Sequence, residues 1–137
     1  MNPVLVDTGP LVAVIRAKDR DHQRCRRYMA GVRAPLLTTW PVLTEAAWLL
    51  REDDRFVSAL LKMVSGGRLQ VDPLGPEAAG RIDSFLTKYA DQKPQLADAT
   101  LIYLANALNL DTVFTLDRRD FSVYRKDDDT VLKMVPE

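Results

Sequence analysis

The chain has 137 residues, a mass of 15.4 kDa, 19 basic and 19 acidic side chains, and a formal net charge of zero. That length suits one domain, expected to span residues 1–137 and able to bury a core without disulfide staples. Hydrophobic residues at 47% against 28% charged exclude a disordered chain, and the charge balance excludes a uniformly basic nucleic-acid binder.

The N-terminal stretch before Asp7 has neither a charged leader nor a long apolar run, so no signal peptide is expected. No apolar run approaches the roughly 20 residues of a membrane span, and a cytoplasmic protein without membrane contact is the expectation. Val4–Val6 is a short run the length of a strand buried on both faces. Pro10 suits the first turn of the helix that follows. The segment from Asp19 to Val32 places His22, Cys25, Met29 and Val32 on one side of a helix. Cys25 is the only cysteine, which fits a reducing compartment and reads as a small buried hydrophobe. From Arg16 to Arg33 basic residues outnumber acidic ones by five. That excess is able to steer a polyanion; the alternative is a solvated helix face.

Leu36–Thr39 reads as a second strand, and Pro41 opens the next helix. Trp40, Trp48, Leu49 and Leu50 crowd there beside Phe56 and Leu60. Trp48 is expected in the core that covers the sheet; any part of this surface left exposed would receive a dimer mate or a partner helix. Gly66-Gly67 stops the helix of Phe56, Leu60 and Met63 before a third strand at Leu69–Val71. Ile82, Phe85, Leu86 and Tyr89 share a helical face, as do Leu101, Leu104, Ala105 and Leu108 after Pro94. Thr112–Leu116 and Val131–Val135 complete five strand-like runs. Strands alternating with helices predict an α/β fold whose parallel sheet is covered on both faces.

In such sheets ligands bind beyond the carboxyl ends of the strands. Asp7 follows the first strand, and Asp117 follows Thr112–Leu116 with Asp120 three residues on. Glu45 and Asp98 lie near helix starts, inside otherwise apolar patterns. Singly, Asp7 and Asp98 also read as helix caps, Asp117 as a turn residue and Glu45 as a solvated charge. Together these acids repel unless a cation compensates them. Arg118 and Arg119 are one source of compensation, and a divalent ion that prefers oxygen ligands is another. His22, the only histidine, cannot build a histidine-rich zinc site, and no glycine-rich phosphate loop is present.

Four pieces then resemble a known family across nearly the whole chain. They are Val4-Leu5-Val6-Asp7-Thr8-Gly9-Pro10-Leu11, the helix with Glu45 about 40 residues on, Leu96-Ala97-Asp98-Ala99-Thr100-Leu101, and Val113-Phe114-Thr115-Leu116-Asp117-Arg118-Arg119-Asp120-Phe121. In this order the chain resembles the PIN-domain ribonucleases of the VapC-like toxin family. The resemblance implies a three-layer α/β/α sandwich with a mostly parallel five-stranded sheet. It implies a magnesium-dependent endoribonuclease, with manganese in magnesium's place as an option. Asp7, Glu45, Asp98 and Asp117 would be the catalytic acids holding one or two ions, with Asp120 replacing or assisting Asp117. Thr8 and Thr115 match hydroxyls that orient a carboxylate or water. Cleavage by metal-activated water would leave a 3′-hydroxyl and a 5′-phosphate. An RNA substrate, a cognate antitoxin and a homodimer are also implied. The alternatives are a housekeeping RNA-processing nuclease of the same fold, or a non-catalytic RNA- or protein-binding module.

Overall fold

The computed structural model describes residues 1–137. In chain order the elements are β1 (Val4–Val6), α1 (Thr8–Ile15), α2 (His22–Gly31), β2 (Leu36–Thr39), α3 (Trp40–Leu49), α4 (Asp54–Ser65), β3 (Leu69–Asp72), α5 (Ala78–Lys88), α6 (Leu96–Ala107), β4 (Thr112–Phe114), α7 (Arg118–Val123) and β5 (Lys133–Val135). A single 3-10 turn, Ala90–Gln92, precedes α6. The sheet runs in the order β3-β2-β1-β4-β5 and every pairing is parallel. It is therefore wholly parallel, where the sequence led us to expect a mostly parallel one. All residues of β1 and β2 are buried. Neighbouring strand residues point to opposite faces, so both faces must be covered by helices.

The strand order reverses between β1 and β4, because the chain builds outward from β1 to β3 and then returns to add β4 and β5. A cleft beyond the carboxyl ends at such a reversal is where open α/β sheets bind ligands. Leu5 pairs with Val113 and Val6 with Phe114, which brings those two strand ends side by side.

Local signals set the helix boundaries. Thr39 caps α3, its hydroxyl accepting from Val42 N–H, and Pro41 occupies the first turn. Gly66 ends α4, and Gly67 at φ +84° makes the left-handed turn into β3 that a residue without Cβ adopts freely. Two strands are shorter than their apolar runs. β4 stops at Phe114 because Thr115 spends its hydroxyl on a turn at Asp117 N–H (2.9 Å). β5 starts only at Lys133, leaving Val131 exposed.

Two expectations for surface and core change. Trp48 is 64% exposed and Trp40 50%, so neither is sheet-covering core. Apart from Thr44 and Glu45 the α3 stretch is apolar, and its inward side is taken by Val42, Leu43 and Ala46. The arginine-rich segment is a solvated face: Lys18, Arg20, Arg24, Arg26, Arg27 and Arg33 are exposed, while Arg16 is bound to Glu52 (2.8 Å). Cys25 is fully buried, and His22 sets its Nδ1 2.7 Å from the Ala13 carbonyl oxygen. No helix is long and apolar enough to cross a membrane.

Candidate metal centre

The end of β1 delivers Asp7 to the reversal point, where its backbone N–H still donates to Phe114 O (2.9 Å). Asp7 is also the N-cap of α1: Oδ1 accepts from Thr8 N–H at 2.8 Å. Its second oxygen, Oδ2, accepts from the Thr115 hydroxyl at 2.7 Å. Thr115 accepts in turn from Asp117 N–H, so one buried threonine fixes two acids from neighbouring strand ends. Asp117 caps α7, Oδ1 accepting from Asp120 N–H at 3.0 Å. Asp98 lies in the first turn of α6, whose N-cap is Gln95. A contact between the hydroxyls of Thr39 and Thr100 (2.8 Å) pins that turn against the end of β2. The Tyr124 hydroxyl donates to Asp98 Oδ2 at 3.3 Å. Glu45 comes from α3 and is half-buried.

These elements enclose one open cleft of about 590 Å³, lined by Asp7, Glu45, Asp98, Asp117 and Asp120 together with Thr8 and Lys93. All five sequence-picked acids therefore meet. One oxygen from each of Asp98, Asp117 and Asp120 lies within 4.8 Å of the others. Asp117 and Asp120 both line the cleft, so the geometry brings the two alternatives for the last acid to one place. The cap and turn readings of Asp7 and Asp117 hold as well, since each carboxylate both caps a helix and lines the cleft.

No arginine or lysine forms an ion pair with these acids, although the charge of Arg119 favours ionised Asp120. None of the protein's ion pairs includes Asp7, Glu45, Asp98, Asp117 or Asp120. Arg118 turns away to donate to the Pro136 carbonyl (3.3 Å), so the compensation expected from it is not made. Burial, more than any other cause, pushes Asp7 up to about 6, with the charges of Glu45 and Asp117 adding and the Thr115 and Thr8 hydrogen bonds opposing. Burial likewise pushes Asp98 up to about 7, reinforced by Asp7, Asp117 and Glu45 and opposed by Tyr124. Asp120 is raised by partial burial and then by its neighbour Asp117.

Residues 4–127 match the PIN domain family. The chain belongs to that family. The PIN domain is 29% identical over 124 residues to Ribonuclease VapC26 of Mycobacterium tuberculosis, covering 89% of this chain and 92% of that protein. Its fold superposes on crystallised VapC20 of Mycobacterium tuberculosis, described as a sarcin–ricin-loop-cleaving toxin, with a TM-score of 0.78 at 20% identity, covering 85% of this chain and 91% of that one. It also superposes on a chain of VapBC2 from Rickettsia felis, crystallised on a DNA fragment from its promoter, with a TM-score of 0.68 at 13% identity, covering 98% and 99%.

The donors of this PIN domain fit a hard divalent cation. They are all oxygens, carboxylates predominate, and no histidine or thiol lines the cleft. Thr8 adds an independent sign: its buried Oγ1 has no hydrogen-bond partner in the protein, an orphan acceptor at the cleft wall. Of the two threonines picked from sequence, Thr115 orients Asp7 through its hydroxyl, whereas Thr8 does so through its backbone N–H. Tyr124, Lys93 and the Thr39–Thr100 pair escaped the sequence reading. Only the Lys93-Pro94 pair just before the Asp98 helix offered a local signal for any of them.

Proposed function

We propose that this PIN domain is a divalent-metal-dependent endoribonuclease and the toxin half of a type II toxin–antitoxin pair. We assign magnesium as its ion, with manganese able to substitute. The observation that carries this reading is the five-carboxylate cleft at the strand reversal, none of whose acids has an ion-pair partner. Asp7, Asp98, Glu45, Asp117 and Asp120 would hold the ion. A bound divalent ion supplies water of lowered pKa and offsets charge on the phosphate under attack. The chain's own contribution is placement. Thr115 keeps Asp7 Oδ2 and the Asp117 backbone in fixed relation. Tyr124 stabilises the charged form of Asp98 and orients it. Thr8 Oγ1 is an oxygen free to accept from a water in the cleft. No serine, cysteine or histidine nucleophile lines the site, so hydrolysis would proceed by water.

The relatives support the assignment of substrate and partner. One similar protein is named a ribonuclease, one similar structure is of a toxin that cleaves the sarcin–ricin loop, and another is of a VapBC2 complex on promoter DNA. We accordingly assign RNA as substrate, a cognate antitoxin as partner and the cytoplasm as the place of action. Trp40, Trp48, Leu49 and Leu96 leave an apolar face beside the cleft mouth, and we assign it to a homodimer contact.

The test uses purified protein, a sarcin–ricin-loop oligoribonucleotide and total RNA. Cleavage that magnesium or manganese switches on and a chelator switches off supports the reading. No cleavage, together with no thermal shift on adding either ion, makes the protein a non-catalytic module. Growth arrest on induced expression, relieved by the adjacent gene, distinguishes a toxin from a housekeeping nuclease.

A further inference from the structure

Lys93 sits on the turn that joins α5 to α6, at the rim of the acidic cleft. It is the only cation among the eleven residues lining that cleft. Although five carboxylates share the lining, its ammonium makes no ion pair within 4.0 Å. Its backbone is also unusual, at φ 52° and ψ 55° in the left-handed region. A residue with a Cβ avoids that region, and a residue before proline normally prefers an extended backbone. The conformation is held by the Lys93 N–H donating to Ala90 O (3.1 Å), against the extended preference that Pro94 imposes. Strain of this kind persists where the surroundings fix it, and it gathers at functional sites.

Charge gives the lysine something to do. The lining carries five carboxylates against one ammonium. Without the ammonium, one divalent ion or even two would leave that sum negative. A phosphodiester entering the cleft therefore needs a fixed positive group of the protein's own. The arginine-rich segment between Arg16 and Arg33 contributes no residue to the lining. Gln95, exposed two residues further along the same rim, adds an uncharged donor.

We propose that Lys93 is a substrate-binding residue whose ammonium contacts a backbone phosphate of single-stranded RNA beside the scissile one. This rests on the endoribonuclease reading of the cleft. Phosphate contacts position a strand without reading its sequence, so the contact should act equally on all sequences.

The experiment measures binding of a fluorescent, mixed-sequence single-stranded oligoribonucleotide in calcium across a range of salt concentrations. Cleavage of the same oligonucleotide in magnesium is followed in parallel. Lys93→Asn removes the charge and tolerates the left-handed backbone; Lys93→Arg restores the charge. We expect Lys93→Asn to bind roughly tenfold more weakly at low salt. The slope of log affinity against log salt should fall by about 0.7, the value for one lost phosphate contact on a single strand. KM should rise while kcat holds within about twofold, and Lys93→Arg should recover most of the loss. Lys62→Ala, at an exposed lysine of α4 away from the cleft, should leave the slope unchanged. An unchanged slope in Lys93→Asn, or an equal change in Lys62→Ala, overturns the proposal for Lys93 and leaves the nuclease reading standing. Wild-type protein that neither binds nor cleaves the RNA overturns both.

Discussion

Two groups of carboxylates in this protein live under opposite rules. At the turn between α3 and α4, Glu52 accepts from Arg16 at 2.8 Å and Asp53 from Arg55 at 2.7 Å. Both are held below the usual carboxylate range, chiefly by those arginine hydrogen bonds. In the cleft, Asp7 and Asp98 meet no arginine and are pushed up to about 6 and about 7, chiefly by burial. The surface acids are satisfied by the chain itself and contribute little, as exposed pairs generally do. The cleft acids are hydrogen-bonded by the fold but given no ion-pair partner, which costs stability while they are charged. Sites that break local rules in this way are where function resides.

The contrast is broken most sharply by removing a cleft charge. Asp98→Asn and Asp7→Asn should each lower metal-dependent RNA cleavage by roughly a hundred- to a thousandfold. Circular dichroism should stay native, because asparagine preserves shape and caps helices as aspartate does. Full activity in either variant would sink the assignment of the site. Metal supplies the second test. Magnesium at about 100 times its dissociation constant should stabilise the wild type by about 2.7 kcal/mol. That corresponds to a rise of roughly 8–10 °C in the melting midpoint. Asp53→Asn should keep this rise and Asp98→Asn should lose it, as read by thermal melts with and without chelator.

The two groups should also differ in the sign of their pH dependence. Asp7 and Asp98 bind protons more tightly when folded, so between about pH 4 and 7 the native state carries more protons than the unfolded chain. Their contribution is fully present below the unfolded value near 3.8 and is lost as pH rises through about 6 and 7. Glu52 and Asp53 act the other way, favouring the fold above the usual carboxylate pKa and losing that effect in acid. Metal-free protein should therefore be less stable at pH 8 than at pH 5, by on the order of 2 kcal/mol. Urea midpoints at the two pH values check this. Asp98→Asn should shrink the difference and magnesium should abolish it; a metal-free wild type that gains stability toward pH 8 contradicts it.

Smaller effects sharpen the same contrast. Tyr124→Phe removes the hydroxyl that favours charged Asp98 but keeps the ring against Phe85, Tyr89 and Phe121. Metal affinity, followed by the midpoint of the thermal shift against ion concentration, should drop by roughly tenfold. At the other end, Asp53→Asn should move the melting midpoint by less than about 2 °C, since the cap survives and only an exposed pair is lost.

Much of the cleft was legible because topology converts a one-dimensional cue into a place. A carboxylate just past an apolar run becomes a carboxylate at the carboxyl edge of a parallel sheet, and Asp7 and Asp117 follow from that alone. Asp98 and Glu45 stood out as charges inside apolar helical patterns. The partners of these acids were not legible. Tyr124 reaches Asp98 across 26 residues and Thr115 reaches Asp7 across 108, distances over which no local pattern persists. Trp48 lies outside the core, which was not legible because α3 is apolar around most of its circumference, and periodicity cannot tell which side of such a helix meets the sheet. The arginine excess was visible, but not that Arg16 would bind Glu52 and the rest would face water. The end of β4 was not legible for a similar reason, because a hydroxyl in a turn can end a strand that hydropathy would extend.

Asp7 and Asp117 each hold the first turn of a helix with the same carboxylate that they offer to the cleft. Asp98 has no such capping bond, since it lies inside the first turn of its helix and the N-cap position is Gln95. Inactivation is thus not equally accessible at the three positions. If the protein is the toxin proposed above, cells escaping it should be able to lose Asp98 and keep a folded, inert chain. Losing Asp7 or Asp117 to a residue that cannot cap tends to remove the folded chain along with its activity. Survivors of a selection should therefore divide into two groups: abundant, silent protein altered at Asp98, and scarce protein altered at the two helix starts.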